Sequence, residues 1–222
     1  MNGTDIIAQF EKDTGDTTEL SSSEELTLAN RIYNKVLNDR DWEFLKKPAN
    51  GTITIGNGVA TIPLPADFDH FAINAQATDM AVGVNDNGYG VGNASPKVIF
   101  VSTATGVYAP YQIVNFSDRR QYFNKNGYCY TDYVNNQVVF TVVPTTSDLT
   151  YEFDYIYLPP ALTLTTSPVF PKCHDVIHFG MAVDDMIIQL FDRTHSYAAE
   201  NGKNYQEQLS QLRYYNSQLI NN

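Results

Sequence analysis

The stretch Arg40-Asp41-Trp42-Glu43-Phe44-Leu45 lies where the sequence changes from a helical to a β-type pattern. On its N-terminal side, the spacing of apolar residues predicts a helix over residues 24–46, and Ser22 with Glu25 fits a capping box at its start. The apolar face of this helix consists of Leu26, Ala29, Tyr33, Val36 and Leu37. A shorter helix is predicted over residues 5–12.

On its C-terminal side, residues 52–55 and 59–62 predict a β-hairpin around the turn Gly56-Asn57-Gly58. Further strands are predicted over residues 97–102, 111–116, 128–133, 137–143 and 150–158. The glycine- and asparagine-rich residues 79–93 are predicted to form a loop. Residues 158–171 contain four prolines and are predicted to form an extended connector.

Two more helical patterns follow the connector. Residues 173–191 predict a mostly buried helix, and residues 197–218 predict a helix with a polar outer face. Neither end of the chain has enough apolar surface to fold alone, so the ends must pack together or against other copies. The predicted fold class is α+β, with a helical bundle of residues 1–48 and 172–222. A large antiparallel β insertion, residues 49–171, includes the proline-rich connector.

Composition restricts the class of function. The 222 residues carry 25 acids against 14 bases, a net charge of −11, which argues against a protein that grips nucleic acid through its phosphates. The same charge suits a wall past which DNA slides. Fifteen tyrosines and twelve phenylalanines suit extensive protein interfaces. Cys129 and Cys173 are expected to be reduced thiols, and neither a signal peptide nor a membrane span is predicted.

Two histidines at the start of a predicted helix have the spacing of a metal-binding pair. His174 and His178 are four residues apart, and a third ligand would have to come from a distant position such as Asp184 or Asp185, neither of which lies well on that face. The glutamate that follows the first histidine in metalloproteases is missing, so capping or packing at the helix N-terminus is favoured.

Asp184 and Asp185 lie in an otherwise apolar pattern. Pairing with Arg31 or Arg40 is favoured over a catalytic carboxylate pair, because buried acids are usually paired. No nucleophile motif is present, and the glycines of residues 88–92 lack the lysine of a phosphate-binding loop. We therefore predict no enzyme activity, no catalytic residue, no cofactor and no metal site.

Arg119 and Arg120 form a small basic spot beside Tyr122 and Phe123. Two charges supply little affinity for phosphates, so an acidic protein partner is favoured over nucleic acid.

Four motifs stand in an order that resembles the head–tail adaptor (connector, head-completion) proteins of tailed bacteriophages. They are Arg40 to Leu45 at a helix end, Leu64-Pro65-Ala66-Asp67-Phe68 after the hairpin, the aromatic strand and Pro-Pro turn of residues 155–160, and Pro171 followed by His174-Asp175. The resemblance covers nearly the whole chain.

The resemblance implies a structural virion protein with no catalytic step. Such proteins form a ring of roughly twelve copies under the portal of the capsid, and the ring connects the capsid to the tail. The implied partners are other copies of the chain, the portal protein and a downstream tail or neck protein. DNA passes through the central channel without sequence-specific binding. The implied location is the neck of the virion, assembled in the host cytoplasm, with no membrane contact.

Two groups of residues are predicted to form interfaces. The first group, at the core or subunit interface, is Trp42, Phe44, Ile177, Met181, Ile188 and Phe191. The second group, on a portal-docking arm, is Tyr205, Leu209, Leu212, Tyr215, Leu219 and Ile220.

Three other functions fit parts of the sequence. A different ring component of the neck, such as a tail terminator, would have the same general features. A carbohydrate- or receptor-binding β module would use the tyrosines and the Asn/Gly loops, although such sites favour tryptophan and the chain has one. A metal-dependent hydrolase would rest on His174, His178 and the aspartates alone.

Overall fold

The computed structural model describes residues 1–15, 19–72, 98–102, 108–144, 149–190 and 195–220. The chain divides into two compact units. Met1–Leu45 and Pro159–Asn222 form one, here called the helical unit, and Lys46–Leu158 forms the other, the barrel unit.

The described residues of the barrel unit form one sheet of nine strands. These are β1 (Lys46–Thr52), β2 (Thr54–Gly56), β3 (Val59–Pro63), β4 (Phe68–Phe71), β5 (Val98–Ser102), β6 (Tyr108–Val114), β7 (Tyr128–Asp132), β8 (Gln137–Phe140) and β9 (Thr150–Tyr157). In space they follow the order β1-β9-β5-β6-β7-β8-β3-β2, and β4 also pairs with β9. Only Ile53 separates β1 from β2, the two ends of this order, so the sheet is nearly closed into a barrel.

The predicted hairpin is confirmed, because β2 and β3 pair antiparallel around Asn57 and Gly58. Both turn residues have positive φ, 52° and 76°, as a tight hairpin turn requires. Among the strands that the structure describes, one pair departs from the antiparallel pattern: β6 and β7 run parallel, with Gln112 opposite Tyr128. A parallel pair needs a crossover connection, and residues 115–127 supply it.

The predicted fold class, a helical bundle with a large antiparallel β insertion, is wrong. The structure is a nearly closed, barrel-like sheet of nine strands with a few helices. The first long helix ends at Leu37 and not at residue 46 as predicted. Residues 46–52, which run from its predicted end to the predicted start of the hairpin, form β1 and pair with β9 along their whole length. Pro48 is tolerated there because, among the described strands, β1 has a ladder partner on one side only.

The helical unit contains five α-helices and a short 3-10 helix, Glu43–Leu45, among its described residues. The α-helices are α1 (Gly3–Thr14), α2 (Ser22–Leu37), α3 (Val176–Ala182), α4 (Asp185–Leu190) and α5 (His195–Ile220). Capping boxes start α1, with Asn2 and Asp5, and α2, with Ser21 and Glu24. The box on α2 is one residue earlier than the predicted pair of Ser22 and Glu25.

The predicted continuous helix over residues 173–191 is wrong, because α3 ends at Ala182 and α4 begins at Asp185. Asp184 causes the break: its Oδ1 accepts a hydrogen bond from the Met186 backbone N–H at 3.1 Å and so caps the start of α4. The predicted loop of residues 79–93 lies outside the described residues.

Candidate assembly surfaces

Trp42 anchors the end of α2 inside the helical unit. Its side chain is fully buried, and its Nε1 donates a hydrogen bond to the Val36 carbonyl at 2.9 Å. Its ring stacks on Phe44 with centroids 5.2 Å apart, and Phe44 in turn contacts the edge of Phe170 at 6.4 Å. The motif at residues 40–45 therefore fixes where the chain leaves the helical unit.

The predicted interface residues of the third helical segment lie at different depths. Ile177 and Met181 are fully buried, Ile188 is half-buried, and Phe191 lies outside the described residues. These positions make Trp42, Ile177 and Met181 part of the core of the helical unit. A role for this first group at a subunit interface stays a prediction.

Gly180 sets how closely three helices approach each other in that core. A Cβ at this position would lie 2.4 Å from Cγ2 of Ile32 on α2 and 3.0 Å from the ring of Tyr205 on α5. Both distances are shorter than ordinary van der Waals contact, so the helices pack over a residue with no side chain.

Helix α5 is held to the rest of the helical unit along much of its length. Tyr205, Leu209 and Leu212 are buried, and the Asn216 side-chain oxygen accepts a hydrogen bond from the Glu43 backbone N–H at 2.6 Å. These contacts place the first half of the predicted portal-docking arm in the core of its own chain.

The last turns of α5 are more open. Tyr215 and Leu219 are half-buried, whereas Tyr214 and Ile220 are 68% and 63% exposed. Docking of the portal protein through this end stays a prediction.

An ion pair anchors Arg213 of α5 to Asp39. The guanidinium Nε donates to Asp39 Oδ2 at 2.9 Å and Nη2 donates to Oδ1. The Arg213 hydrogen bonds hold the pKa of Asp39 below its usual value, although burial acts in the opposite direction.

The two candidate metal-binding histidines have separate partners. His174 Nε2 lies 2.7 Å from the Phe170 carbonyl oxygen. His178 is buried between two carboxylates, with Nδ1 2.8 Å from Asp13 Oδ2 and Nε2 3.3 Å from Asp175 Oδ1. In the part of the chain that the structure describes, no group of three or more His, Cys, Asp or Glu could hold a metal ion.

The predicted pairing of the acidic residues with arginine is confirmed for one of them. Arg31 Nη2 lies 2.5 Å from Asp184 Oδ1. Because the same oxygen also accepts the hydrogen bond that caps α4, Asp184 has a structural role at the start of that helix.

Glu25 is a buried carboxylate that the predicted apolar face of α2 does not include. It lies on the buried face of α2 and is only 3% exposed, and its Oε2 has no hydrogen-bond partner among the described residues. Burial raises its pKa to about 7, and the nearby charge of Glu11 adds to the effect. The available signal was its position three and four residues before Leu28 and Ala29 on the apolar face.

The turn between β7 and β8 projects two apolar side chains into solvent. Tyr133 and Val134, here called the tip, are 68% and 91% exposed. Asp132 makes the turn rigid, because its Oδ1 accepts hydrogen bonds from the backbone N–H groups of Val134 and Asn135 at 3.1 and 3.4 Å. Its Oδ2 accepts a third from the Asn135 side chain at 2.7 Å. Apolar groups held outward on a rigid turn are a typical protein-binding feature.

The family model of the SU10 adaptor protein matches residues 1–220. The chain belongs to the SU10 adaptor protein family. This is a phage head–tail adaptor-type family, so the family predicted from the sequence motifs is confirmed. No curated protein matches the chain.

Membership in the SU10 adaptor family identifies a phage structural adaptor protein, a virion component that interacts with other virion proteins. Families of structural adaptors are generally non-enzymatic. None of the helices in the described part of the chain has the length and apolar character of a membrane span.

Proposed function

We propose that this SU10 adaptor forms a ring of roughly twelve copies in the neck of the virion, where it joins the portal of the capsid to the tail. DNA passes through the ring without sequence-specific contacts. The observation that carries the proposal is the family match over residues 1–220. The net charge of −11 supports the channel role, because an acidic wall repels a phosphate backbone.

Exposed apolar groups at two places supply surfaces for partner proteins. The tip in the barrel unit suits insertion into a pocket of a neighbouring virion protein. Tyr214 and Ile220 are exposed in the last turns of α5 and, with the half-buried Leu219, suit docking to the portal. Tyr205, Leu209 and Leu212 would support this arm from inside the helical unit.

Native mass spectrometry and negative-stain imaging test the ring, with the chain alone and mixed with the portal protein of its phage. A ring in either sample supports the proposal. A monomer that does not bind the portal protein overturns the proposal. Binding to the tail alone assigns the chain to the terminator position instead.

A matched pair of variants tests the docking arm. Ile220→Ser is expected to weaken binding to the portal, whereas Gln211→Ser, at an exposed polar position of the same helix, is expected to leave binding unchanged. Equal binding by both variants contradicts docking through the end of α5.

A further inference from the structure

The crossover between β6 and β7 carries a cluster of aromatic and basic side chains on the surface of the barrel unit. We call this cluster the crossover patch, and it consists of Phe116, Arg119, Arg120, Tyr122, Phe123 and Lys125. The connection contains a short 3-10 helix, Arg119–Tyr122.

The crossover patch rests on the outer face of β7. Cys129 and Thr131 are buried, and because side chains alternate along a strand, Tyr128 and Tyr130 face outward. Tyr122 packs on Tyr128 with ring centroids 4.6 Å apart, and Phe116 packs on Tyr130 at 5.8 Å. These ring contacts give the connection a fixed base on the sheet.

The cations of the patch lie against aromatic rings. The guanidinium carbon of Arg119 is 3.5 Å from the centroid of the Phe116 ring, and its Nη1 donates to the Phe116 carbonyl at 2.5 Å. Lys125 Nζ is 5.3 Å from the centroid of the Tyr122 ring, and Arg120 is exposed. Cation–π contacts position a charge without neutralising it.

No ion pair neutralises the three cations of the patch within the described residues. The other described cations of the barrel unit, Lys46 and Lys47, lie 4.0 and 2.8 Å from aspartate oxygens. Phe123 is 49% exposed beside these free charges. Exposed aromatic groups next to arginine have the composition of a binding hot spot.

The same chain contains a strongly acidic region that the patch would complement. Residues 1–25 carry seven acids and one base. The acids are Asp5, Glu11, Asp13, Asp16, Glu19, Glu24 and Glu25, and the base is Lys12. Glu25 is buried and Asp13 lies against His178, so the described acids that can face a partner are the exposed Asp5, Glu19 and Glu24 and the half-buried Glu11.

We propose that the crossover patch of one copy binds the acidic N-terminal region, residues 1–25, of a second copy. The inference rests on the proposed ring and assigns the surfaces that join its neighbours. Two different surfaces of one chain make a head-to-tail contact, and repetition of such a contact closes a ring. Contact between two identical crossover patches would bring like charges together.

DNA fits the patch less well than a second copy does. Three cations contribute little phosphate affinity, and the net charge of the chain is −11. Because every copy carries both surfaces, a ring contains one acidic N-terminal region for each crossover patch. A contact that repeats around the ring requires this equal number.

Charge reversal tests the contact in the full chain. Arg119→Glu with Arg120→Glu is expected to weaken self-association at least about tenfold, because like charges then face each other. Arg119→Lys with Arg120→Lys keeps the charge and is expected to retain most of the association. Lys172→Glu with Lys203→Glu changes the net charge equally at exposed sites of the helical unit and serves as the control. Circular dichroism verifies that each variant folds.

The outcomes separate this inference from the proposed ring. If the wild-type chain forms a ring and the reversed variant forms the same ring, the assigned contact is wrong and the ring stands. If the wild-type chain forms no ring with or without the portal, the proposed ring is wrong. In that case the contact between copies stands only if cross-linking detects it.

Carbodiimide cross-linking identifies the partner directly, because it joins the Lys125 amine to a carboxylate in contact with it. A mixture of nitrogen-15-labelled and unlabelled chains distinguishes links between copies from links within one chain. We expect mixed-label peptides that join Lys125 to residues 1–25. Links only within one chain, links only to the portal, or a DNA mobility shift that the reversed variant loses would each overturn the proposal.

Discussion

The helical unit and the barrel unit bury different kinds of side chain. Among the buried polar residues of the described chain, only Thr131 belongs to the barrel unit. The helical unit buries Thr14, Glu25, His178, Asn201 and Asn216. A nearly closed sheet pairs its backbone groups in its own ladders, so its interior can be purely apolar and aromatic.

The helical unit needs polar side chains because two distant segments of the chain form it. Asn30 on α2 donates to the Leu162 carbonyl at 3.0 Å and accepts from the Leu162 N–H at 2.7 Å. Asn216 accepts from the Glu43 N–H. Each bond joins segments more than a hundred residues apart, so these side chains fix the register of the two segments.

Removal of the Trp42 ring is the strongest way to test whether the two units are separate. Trp42→Ala is expected to lower the free energy of unfolding of the helical unit by about 3–5 kcal/mol, because it leaves a large cavity. Amide hydrogen exchange should show lost protection in α2 and α5 and retained protection in β7 and β8. Leu158→Ala, at an exposed position, is the control. Equal loss of protection in the barrel strands would show that the units unfold together.

A pair of glycine substitutions sharpens the description of the helical core. Gly180→Ala is expected to lower the free energy of unfolding by about 2 kcal/mol, because the added methyl overlaps Ile32 and Tyr205. Gly202→Ala is the matched control, since its methyl has space and the nearest atom is 4.0 Å away. Because Gly202 lies in the interior of α5, Gly202→Ala is expected to raise the free energy of unfolding by up to about 1 kcal/mol. Urea denaturation measures both, and a similar effect of the two changes would contradict the close approach.

Glu25 should make the stability of the helical unit depend on pH. Its folded-state pKa of about 7 exceeds the unfolded value of 4.5, so the folded state binds the proton more tightly. Ionised Glu25 therefore destabilises the fold above pH 7, and this cost disappears as the pH falls below 4.5. Glu25→Gln is expected to raise the free energy of unfolding by about 1–2 kcal/mol at pH about 8 and to change it little at pH about 4.

Denaturant titrations at the two pH values measure the Glu25 effect. Glu11→Gln, which removes the second cause of the raised pKa, is expected to stabilise in the same direction by a smaller amount. A gain from Glu25→Gln that is equal at both pH values would point to packing instead of ionisation.

The tip should affect stability least and binding most. Tyr133→Ser with Val134→Ser is expected to change the free energy of unfolding by less than about 0.5 kcal/mol, because both side chains are exposed. The same variant is expected to lose binding to a neighbouring virion protein in a pull-down with assembled heads or tails. Asp132→Ala, which removes the bonds that hold the turn, separates the contribution of rigidity from that of apolar surface. Unchanged binding by both variants would exclude the tip as a contact.

Local patterns were predictable where the deciding residues are neighbours in sequence. The turn at Asn57 and Gly58 determines its hairpin, and the apolar spacing of α2 locates that helix to within two residues at its start. The parallel pairing of β6 with β7 was not predictable, because it depends on a crossover of residues 115–127 without a long helix of its own. Closure of the sheet was missed for a similar reason: β1 meets β9 more than ninety residues away.

The candidate surfaces divide in the same way. The family was predictable, because its four motifs are short and ordered along the chain. The depth of Tyr205 and Leu212 was not, because α5 packs on α3 and on residues 43–45, and that arrangement depends on tertiary packing. The basic spot at Arg119 could be identified in the sequence. The rings beneath it belong to β7, and their position could not be predicted without the parallel register of β6 and β7.

The split of the helical unit has a consequence for synthesis in the infected cell. When α1 and α2 leave the ribosome, their packing partner α3 lies beyond a barrel unit of roughly 110 residues. At a rate of synthesis of roughly 5–20 residues per second, the apolar face of α2 stays uncovered for on the order of 10 seconds. The nascent chain is therefore expected to recruit a host chaperone during this interval, and the barrel unit is complete before the helical unit can fold.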